Sequence, residues 1–475
     1  MITQTDFISV KYIRFMIIIL TLAVLTGCGT VGVNVSMSGD KEIDVAENAS
    51  TLSEGSASED EKNFNHEEDK EISEARTSED KGTTISGKAS NGEETSRSEK
   101  TNEDDGSSEN TIPASGKTTS KELQLEYELR SKLASMTLEE KVAQLFIVFP
   151  ESLVPGVSNV TMAGDATRDA ITKTPVGGII YMNENIRNPE QIKTMIENSQ
   201  KYSMDRIGLP LFICVDEEGG QIARIANNRS FGVSNVGSMS DIGVKGDTDI
   251  AFVAGANMGA YLSELGFNLD FAPVADVKAD GFNSMFSERS FSEDPKVVSS
   301  MANALSKGLE SKGILSVYKH FPGHGSTTGD PHKGYAFTNK TMDELKSVDI
   351  IPFKKGIEEG VPIIMVGHIS LPNIISDGTP ASVSKEIVTG VLREEMNYSG
   401  VVITDAMNMG AIKDRYEADE AALKAINAGV DIVLMSKDFY KAYDGILQAV
   451  ESGTLTEERI DESVTRILRL KLKNK

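Results

Sequence analysis

The sequence predicts a single (β/α)8 barrel of the TIM type that follows a disordered N-terminal tether. Two observations predict the barrel. Eight short apolar runs recur between residues 121 and 475, and each is followed by a polar loop and then by a segment with helical spacing of its apolar residues. Continuous apolar strands that alternate with helices are typical of a parallel sheet covered on both faces. Eight such units in about 350 residues favour a closed barrel over an open sheet.

The N-terminal residues are predicted to be a targeting segment. Lys11 and Arg14 form a positively charged start, and residues 15–25 form an apolar core that is short for a membrane span but typical of a signal peptide. The core leads into Leu-Thr-Gly-Cys at residues 25–28, which resembles the bacterial lipobox. That resemblance implies a lipid on Cys28 and a protein anchored to the cell membrane on its extracytoplasmic side. A plain signal peptide with a chance cysteine is the alternative.

The stretch from residue 29 to residue 120 is predicted to be disordered. It consists mainly of Ser, Thr, Glu, Asp, Gly and Lys, and it carries 22 acidic but only nine basic residues. Such a segment cannot bury enough apolar surface to offset the entropy of ordering the chain. The predicted organisation is therefore a signal peptide with a lipobox at 1–28, a tether at 29–120 and the (β/α)8 barrel at 121–475. The formal net charge of -24 argues against a nucleic-acid partner.

The elements of the barrel follow in order. Thr137 and Glu140 have the spacing of a capping box and open a short helix that extends to Gln144. A final helix over residues 457–473, with apolar residues at helical spacing, is predicted to close the ring. The predicted strands are residues 145–149, 178–182, 211–215, 269–273, 314–318, 363–366, 401–404 and 432–435.

Polar side chains follow five of the predicted strands, at the end where barrel enzymes place their active residues. The densest group is the loop predicted to start at Lys319, which contains three of the five histidines of the chain. The segments that follow strands three to seven are residues 216–224, residue 276 with residues 288–291, residues 319–332, residues 367–368 and residues 405–407. Carboxylates, histidines, lysine and arginine are thus predicted to converge on one rim.

The motifs exclude several chemistries. The chain has no P-loop, no His-Glu-x-x-His or Cys-x-x-Cys metal motif and no nucleophilic-serine elbow. His320 and His324 are four residues apart, but Pro322 between them forbids the helix that would bring them together on a metal. No metal and no cofactor are predicted. Paired carboxylates with a histidine suit glycoside hydrolysis, in which one group is the nucleophile and another donates a proton.

Five segments carry a resemblance to a known family, namely residues 216–224, 288–291, 319–325, 330–332 and 404–407. Together they resemble family 3 glycoside hydrolases, and Asp330-Pro331-His332 resembles the β-N-acetylhexosaminidase branch that trims peptidoglycan fragments. The resemblance implies that Asp405 is the nucleophile and that His332, paired with Asp330, is the acid/base. It also implies substrate-binding residues around the sugar: Asp216, Arg224, Arg289, Lys319 and His320.

The resemblance implies a retaining exo-β-N-acetylglucosaminidase that removes terminal GlcNAc from muropeptides or related glycosides, acting as a monomer. Pro331 departs from the family, which more often has serine there. The chain contains no tryptophan, so Tyr181, Phe286 or Phe321 is expected to stack on the sugar. A β-glucosidase or β-xylosidase of the same family and a non-catalytic sugar-binding lipoprotein are the alternatives. The choice between water and phosphate as acceptor stays open.

Overall fold

The computed structural model of the 475-residue chain describes residues 119–279, 287–329 and 336–473. The predicted signal peptide, the lipidated Cys28 and the tether up to residue 118 lie outside the described residues. So do Asp330, Pro331 and His332, and Phe286.

Eight parallel strands form the centre of the fold. Each strand pairs with its neighbour in the chain, β1 pairs with β8, and a parallel bridge between Ile403 and Ile432 joins β7 to the segment that enters β8. The (β/α)8 prediction is therefore confirmed. The strands are β1 (Phe146–Val148), β2 (Gly178–Ile180), β3 (Phe212–Val215), β4 (Leu269–Asp270), β5 (Leu315–Phe321), β6 (Ile363–Val366), β7 (Val401–Thr404) and β8 (Val433–Leu434).

Helices lie between the strands along the chain. In the described part they are α1 (Ser120–Ser135), α2 (Leu138–Gln144), α3 (Pro150–Leu153), α4 (Asp165–Lys173), α5 (Pro189–Ile207), α6 (Met239–Lys245), α7 (Thr248–Leu265), α8 (Pro295–Glu310), α9 (Met342–Ser347), α10 (Ile351–Glu358), a π-helix (Glu386–Glu395), α11 (Gly410–Lys413), α12 (Ala418–Ala428), α13 (Phe439–Glu451) and α14 (Glu457–Lys473). Short 3₁₀ turns are Asn183–Asn185, Arg229–Phe231 and Ala381–Val383. No helix among the described residues is long and apolar enough to cross a membrane.

The local signals in the sequence explain where helices begin and how closely strands approach. Thr137 and Glu140 form the reciprocal capping box that opens α2, as predicted. The predicted closing helix is α14, which buries Ile460, Val464, Ile467 and Leu468. Gly178 opens β2 because a Cβ there would lie 2.6 Å from the carbonyl oxygen of Phe212 on β3.

Six of the eight strand ranges differ from the prediction, and β4 and β5 differ most. β4 is only two residues long, whereas β5 continues past the predicted end at Tyr318 to Phe321. Lys319 and His320 are therefore strand residues rather than loop residues. The polar side chains are tolerated there because buried carboxylates bind both of them, while the main chain pairs onward through Phe321 and Val366.

Two small ladders outside the barrel stand over the carboxyl ends of its strands. Glu217–Gly219 pairs antiparallel with Ile222–Ala223 directly after β3. Ala336–Phe337 pairs in parallel with Ile369–Ser370 after β6, and Phe337 also exchanges backbone hydrogen bonds with Thr328. The second ladder fixes the two described arms of the segment that follows β5.

Candidate active site

A cleft of about 310 Å³ opens at the carboxyl ends of the barrel strands. Its polar lining is Asp216, Glu218, Arg224, Arg289, Lys319, His320, His324, Asp405 and Asn408. Six of these residues are predicted site residues: Asp216, Arg224, Arg289, Lys319, His320 and Asp405. The structure thus brings together every predicted catalytic or substrate-binding residue that it describes; Asp330 and His332 lie outside the described residues.

Glu218 is the buried anchor of two cations. Its carboxylate receives two hydrogen bonds from Arg289, from Nε at 2.7 Å and from Nη2 at 2.8 Å, and a third from Lys319 Nζ at 2.5 Å. Burial by itself raises the pKa of a carboxyl, but the two cations hold the pKa of Glu218 well below its usual range. Burial lowers the pKa of Lys319, yet Glu218 and Asp216 reverse this effect, so the lysine stays protonated.

Asp216 is more exposed to solvent than Glu218. Oδ1 lies 3.3 Å from Lys319 Nζ, and Oδ2 lies 3.5 Å from Arg224 Nη2, at the limit of a hydrogen bond. The side chain is 18% exposed, in contrast to the buried Glu218. A carboxylate that lines the cleft between two cations is suited to accept hydrogen bonds from hydroxyl groups of a ligand.

A buried aspartate organises the histidines of β5 and its following turn. Asp276 accepts hydrogen bonds from His320 Nδ1 at 2.7 Å, from the His320 backbone N–H at 3.2 Å and from the His324 backbone N–H at 2.6 Å. Burial raises the pKa of Asp276, but His320 and the other donors outweigh it and keep the pKa below its ordinary value. His324, which contacts Thr327 through Nδ1, has its pKa lowered to about 4 by burial and by His320, so it is neutral at pH 7.

Asp405 follows β7 directly and is held by its own main chain. Its N–H donates to the Val366 carbonyl at 2.9 Å, and its Oδ1 accepts the Ala406 N–H at 2.7 Å. Burial raises the pKa of this carboxyl, but His320, His368, the Ala406 N–H and Lys319 together bring it below the ordinary value. Asp405 is therefore an ionised carboxylate in a cleft lined by cations, as a nucleophile requires.

Two of the three rings expected to stack on the sugar do not reach the cleft, and the third, Phe286, lies outside the described residues. Tyr181 and Phe321 are fully buried and do not line the cleft. The Tyr181 hydroxyl lies 3.2 Å from Ser199 Oγ on α5, and Phe321 packs edge-on against Phe353 on α10. Both rings therefore face the helix layer. The apolar lining of the cleft comes instead from Phe149, Ile180, Met182, Ile222, Phe271, Met365, Ala406, Met409, Leu434 and Met435.

Five site residues have no role predicted from the sequence: Glu218, Asp276, His324, His368 and Asn408. Each follows a barrel strand at its carboxyl end, and this position is the one signal that could have marked them. What the sequence lacks is their pairing, because Glu218 with Arg289 and Asp276 with His320 are separated by 71 and 44 residues. In the described ranges, no three His, Cys, Asp or Glu side chains are grouped so that they could hold a metal ion.

Comparisons with known proteins identify one matching family and several similar proteins. The profile of the glycosyl hydrolase family 3 N-terminal domain matches residues 137–470. The chain is 37% identical over 330 residues to β-hexosaminidase A of Pseudoalteromonas piscicida, a match that covers 64% of this chain and 54% of that protein. It is 32% identical over 346 residues to β-hexosaminidase LpqI of Mycobacterium tuberculosis, covering 71% and 84% respectively.

A solved structure shows the same fold. The family 3 β-N-acetylglucosaminidase from Paenibacillus sp. str. FPU-7 superposes with a TM-score of 0.67 and 34% identity, covering 72% of this chain and 63% of that one. The chain therefore spans little more than half of the P. piscicida relative and somewhat less than two thirds of the Paenibacillus protein.

Proposed function

The chain belongs to glycosyl hydrolase family 3, and on that premise we propose that it is a retaining exo-β-N-acetylglucosaminidase. The substrate that we propose is a non-reducing terminal GlcNAc on a peptidoglycan fragment or a related glycoside. Relatives named β-hexosaminidase and β-N-acetylglucosaminidase support the sugar specificity. The peptidoglycan fragment rests on the resemblance carried by residues 330–332.

One observation carries the proposal. An ionised Asp405 lines the same cleft as Lys319 and His320 of β5, Asp216 after β3 and Arg289 in the segment after β4. The carboxylate supplies the negative charge that an oxocarbenium-like transition state requires. The surrounding hydrogen-bond donors and acceptors suit sugar hydroxyl groups. The neutral His324 contributes a polar surface to the cleft without adding a charge.

The reaction would proceed in two balanced steps. In the first, an Asp405 carboxylate oxygen attacks the anomeric carbon, the bond to the leaving oxygen breaks, and His332 gives that oxygen its proton. In the second, water attacks the glycosyl-enzyme while His332 recovers a proton, and Asp405 is released. The roles of His332 and Asp330 rest on the family resemblance, since both residues lie outside the described part.

The substrate-binding roles follow from how the side chains are held. Glu218 fixes Lys319 and Arg289 by short ion pairs, so both cations are pre-organised before a ligand arrives. Asp276 fixes the ring of His320 in the same way. Asp216, with Arg224 beside it, completes the polar side of the cleft. Pre-organised groups of this kind lose little entropy when a sugar binds.

The proposed activity is tested with 4-nitrophenyl β-glycosides of GlcNAc, glucose and xylose and the purified chain. We expect the GlcNAc substrate to have a kcat/KM at least tenfold above the other two, no turnover by Asp405→Ala, and β-configured GlcNAc as the first product in NMR. Equal or better turnover of the glucoside would favour a β-glucosidase. Release of GlcNAc-1-phosphate in phosphate buffer would identify a phosphorylase, and no turnover of any glycoside would leave only sugar binding.

The location is part of the proposal. The lipobox-like residues 25–28 support a lipid anchor at Cys28 that holds the enzyme outside the cytoplasmic membrane, and the acidic residues 29–120 would act as its tether. In cells that process lipoproteins, Cys28→Ala should move the protein out of the membrane fraction and remove the lipid mass from the N-terminal peptide. A variant that stays in the membrane with an unaltered N terminus would disprove the anchor. Size-exclusion chromatography of the protein without its anchor tests the proposed monomer.

A further inference from the structure

His368 connects the end of β6 to the turn that carries Asp405. The ring is buried, and its Nε2 lies 3.0 Å from the carbonyl oxygen of Ala406, while its Nδ1 lies 2.7 Å from the hydroxyl of Ser382. Ser382 is itself fully buried in the 3₁₀ turn Ala381–Val383. Two hydrogen bonds therefore fix the ring between a loop hydroxyl and the main chain beside the proposed nucleophile.

The partners determine which nitrogen of the ring carries the proton. The Ala406 carbonyl can only accept, so Nε2 must be the donor. In the neutral ring Nδ1 is then the acceptor, and the Ser382 hydroxyl donates to it. The Ala406 carbonyl thus selects the tautomer of His368, and Ser382, whose hydroxyl can donate or accept, holds the ring in the orientation that binds Ala406. This is the logic by which an orienting group fixes a histidine in enzyme sites.

The Ala406 carbonyl takes part in the hydrogen bonds that shape the turn after β7. It also accepts the N–H of Met409 at 3.0 Å, and the next peptide N–H, that of Met407, donates to the Leu434 carbonyl at 2.9 Å. On the other side of the same alanine, the N–H donates to Asp405 Oδ1 at 2.7 Å. A rotation of the main chain at Ala406 would therefore move the donor that holds the Asp405 carboxylate.

His368 is also fixed from the side of β5. The preceding residue, Gly367, donates its N–H to the Phe321 carbonyl at 2.9 Å, and a Cβ at this glycine would lie 3.0 Å from His320 Cβ. The absence of a side chain lets the end of β6 pack directly beside His320. The position of His368 is thereby tied to the strand that carries Lys319 and His320.

We propose that His368, oriented by Ser382, is a positioning residue that aims the Asp405 carboxylate by anchoring the Ala406 carbonyl. The inference rests on the proposed function, because it assigns a task that matters only if Asp405 is the nucleophile. His368 acts through the main chain and is not assigned a contact with substrate.

Loss of His368 should affect the kinetics differently from loss of a general acid. A carboxylate misplaced by about 1 Å costs roughly 10- to 100-fold in rate, since the reacting atoms no longer meet in an attack geometry. Attack on the sugar needs the aimed carboxylate with every leaving group. The loss should therefore be the same for a good leaving group and a poor one, and it should fall on kcat more than on KM.

The experiment compares three variants in the intact protein on 2,4-dinitrophenyl and methyl β-GlcNAc. His368→Leu removes both hydrogen bonds, and kcat should fall roughly 10- to 100-fold on both substrates with KM within about threefold. His368→Gln places an amide N–H near Nε2 and should recover at least a third of the wild-type kcat. Ser382→Ala should lower kcat at least threefold by freeing the ring to turn. Ser203→Ala is the matched control, because its buried hydroxyl donates to the Leu209 carbonyl at the opposite end of the barrel.

The outcomes separate this inference from the proposed function. A wild-type protein that turns over neither glycoside disproves the function before any variant is made. With an active wild type, Ser382→Ala and His368→Leu that both keep kcat within twofold overturn the inference. A loss confined to the methyl glycoside overturns it too, because it would indicate proton donation. If His368→Leu fails to fold, Ser382→Ala decides: a threefold loss that Ser203→Ala lacks supports the positioning role, and an unchanged kcat overturns it.

Discussion

Asp276 holds His320 through both its ring and its backbone. The carboxylate accepts from ring Nδ1 at 2.7 Å and from the backbone N–H at 3.2 Å. Because Nδ1 is the donor, Nε2 is the acceptor whenever the ring is neutral. The orientation and the tautomer of a residue that lines the cleft are thus set by a carboxylate that is completely buried.

Replacing Asp276 with asparagine should weaken substrate binding. The amide keeps the shape of the carboxylate but loses its charge. Its NH₂ group can also turn toward the N–H groups that donate hydrogen bonds to the carboxylate, and two donors cannot bond to each other. We expect kcat/KM for a GlcNAc glycoside to fall about tenfold, mainly through KM, because a hydrogen bond to a charged group contributes about 1.5–3 kcal/mol. Asp205→Asn is the control, since this exposed residue lies near the C-terminal end of α5, at the opposite end of the barrel. An unchanged KM would show that Asp276 does not contribute to substrate binding.

Glu218→Gln should destabilise the protein. The substitution leaves Lys319 and Arg289 buried with a neutral amide in place of their shared carboxylate. Breaking a buried ion pair by removing one partner costs about 3–5 kcal/mol, so the free energy of unfolding in urea should fall by that order. The pKa of Glu218 is depressed by folding, so its contribution is present above the unfolded pKa of 4.5 and is lost as the pH falls below it. The difference between wild type and variant should therefore shrink as the pH falls below 4.5; a difference independent of pH would contradict the ion-pair account.

The sequence predicts the strands and the position of the site better than it predicts the contacts within the site. The eight apolar runs identify the strands because burial on both faces leaves a strong local pattern, and the capping box at Thr137 and Glu140 is equally local. The end of β5 is missed because Lys319 and His320 look like loop residues until Glu218 and Asp276 are in place. The sequence also fails to predict that Tyr181 and Phe321 point away from the cleft, and the reason is related. A strand that is buried on both faces has apolar side chains on both sides. Its sequence therefore has no polar–apolar alternation to show which side chains point into the cleft.

His324 should make stability depend on pH between about 4 and 6.5. Its pKa is 6.5 in the unfolded chain and about 4 in the folded protein, where burial and the neighbouring His320 oppose protonation, while Asp276 and Asp405 favour it. In this interval the unfolded chain binds more protons, so the contribution of His324 is complete above pH 6.5 and is lost as the pH falls toward 4. The full loss is roughly 3 kcal/mol. His324→Asn keeps an N–H near Thr327 and removes the titration, so its unfolding free energy should lose less over this range. Parallel curves for wild type and variant would refute the assignment.

Asp349 should fix both arms of the segment that follows β5. Its carboxylate accepts from Ser326 Oγ at 2.8 Å on one arm and from Lys340 Nζ at 2.5 Å on the other. Gly323 permits this approach, because a Cβ there would lie 2.4 Å from Asp349 Cβ. We expect Asp349→Asn and Lys340→Met each to lower kcat on a natural disaccharide roughly fivefold, the cost of about 1 kcal/mol of lost positioning. Lys346→Met, which removes a surface pair with Glu395, is the matched control and should keep the wild-type kcat. Equal kcat values in all four proteins would show that the anchor has no catalytic role.

The proposed division of labour between Asp405 and His332 predicts opposite dependences on the leaving group. A nucleophile is needed for every substrate, so Asp405→Ala should abolish turnover of activated aryl glycosides and natural disaccharides alike. A general acid is needed mainly for a poor leaving group, because a nitrophenolate departs without a proton. His332→Ala should therefore cut turnover of natural substrates by roughly 10²–10⁴-fold and spare the first step on an activated one. Asp330→Ala should have a smaller effect of the same kind.

The same histidine must activate water in the second step, so glycosyl-enzyme should accumulate in His332→Ala with an activated substrate. A burst of nitrophenol followed by slow turnover would report it, and mass spectrometry of a peptic digest should find the sugar on the peptide that contains Asp405. This carboxylate is the one to expect, because it is ionised and is held by the Ala406 N–H at the end of β7. Sugar on Asp216 or Glu218 instead, or a His332→Ala protein that slows activated and natural substrates equally, would show that the two roles are wrongly assigned.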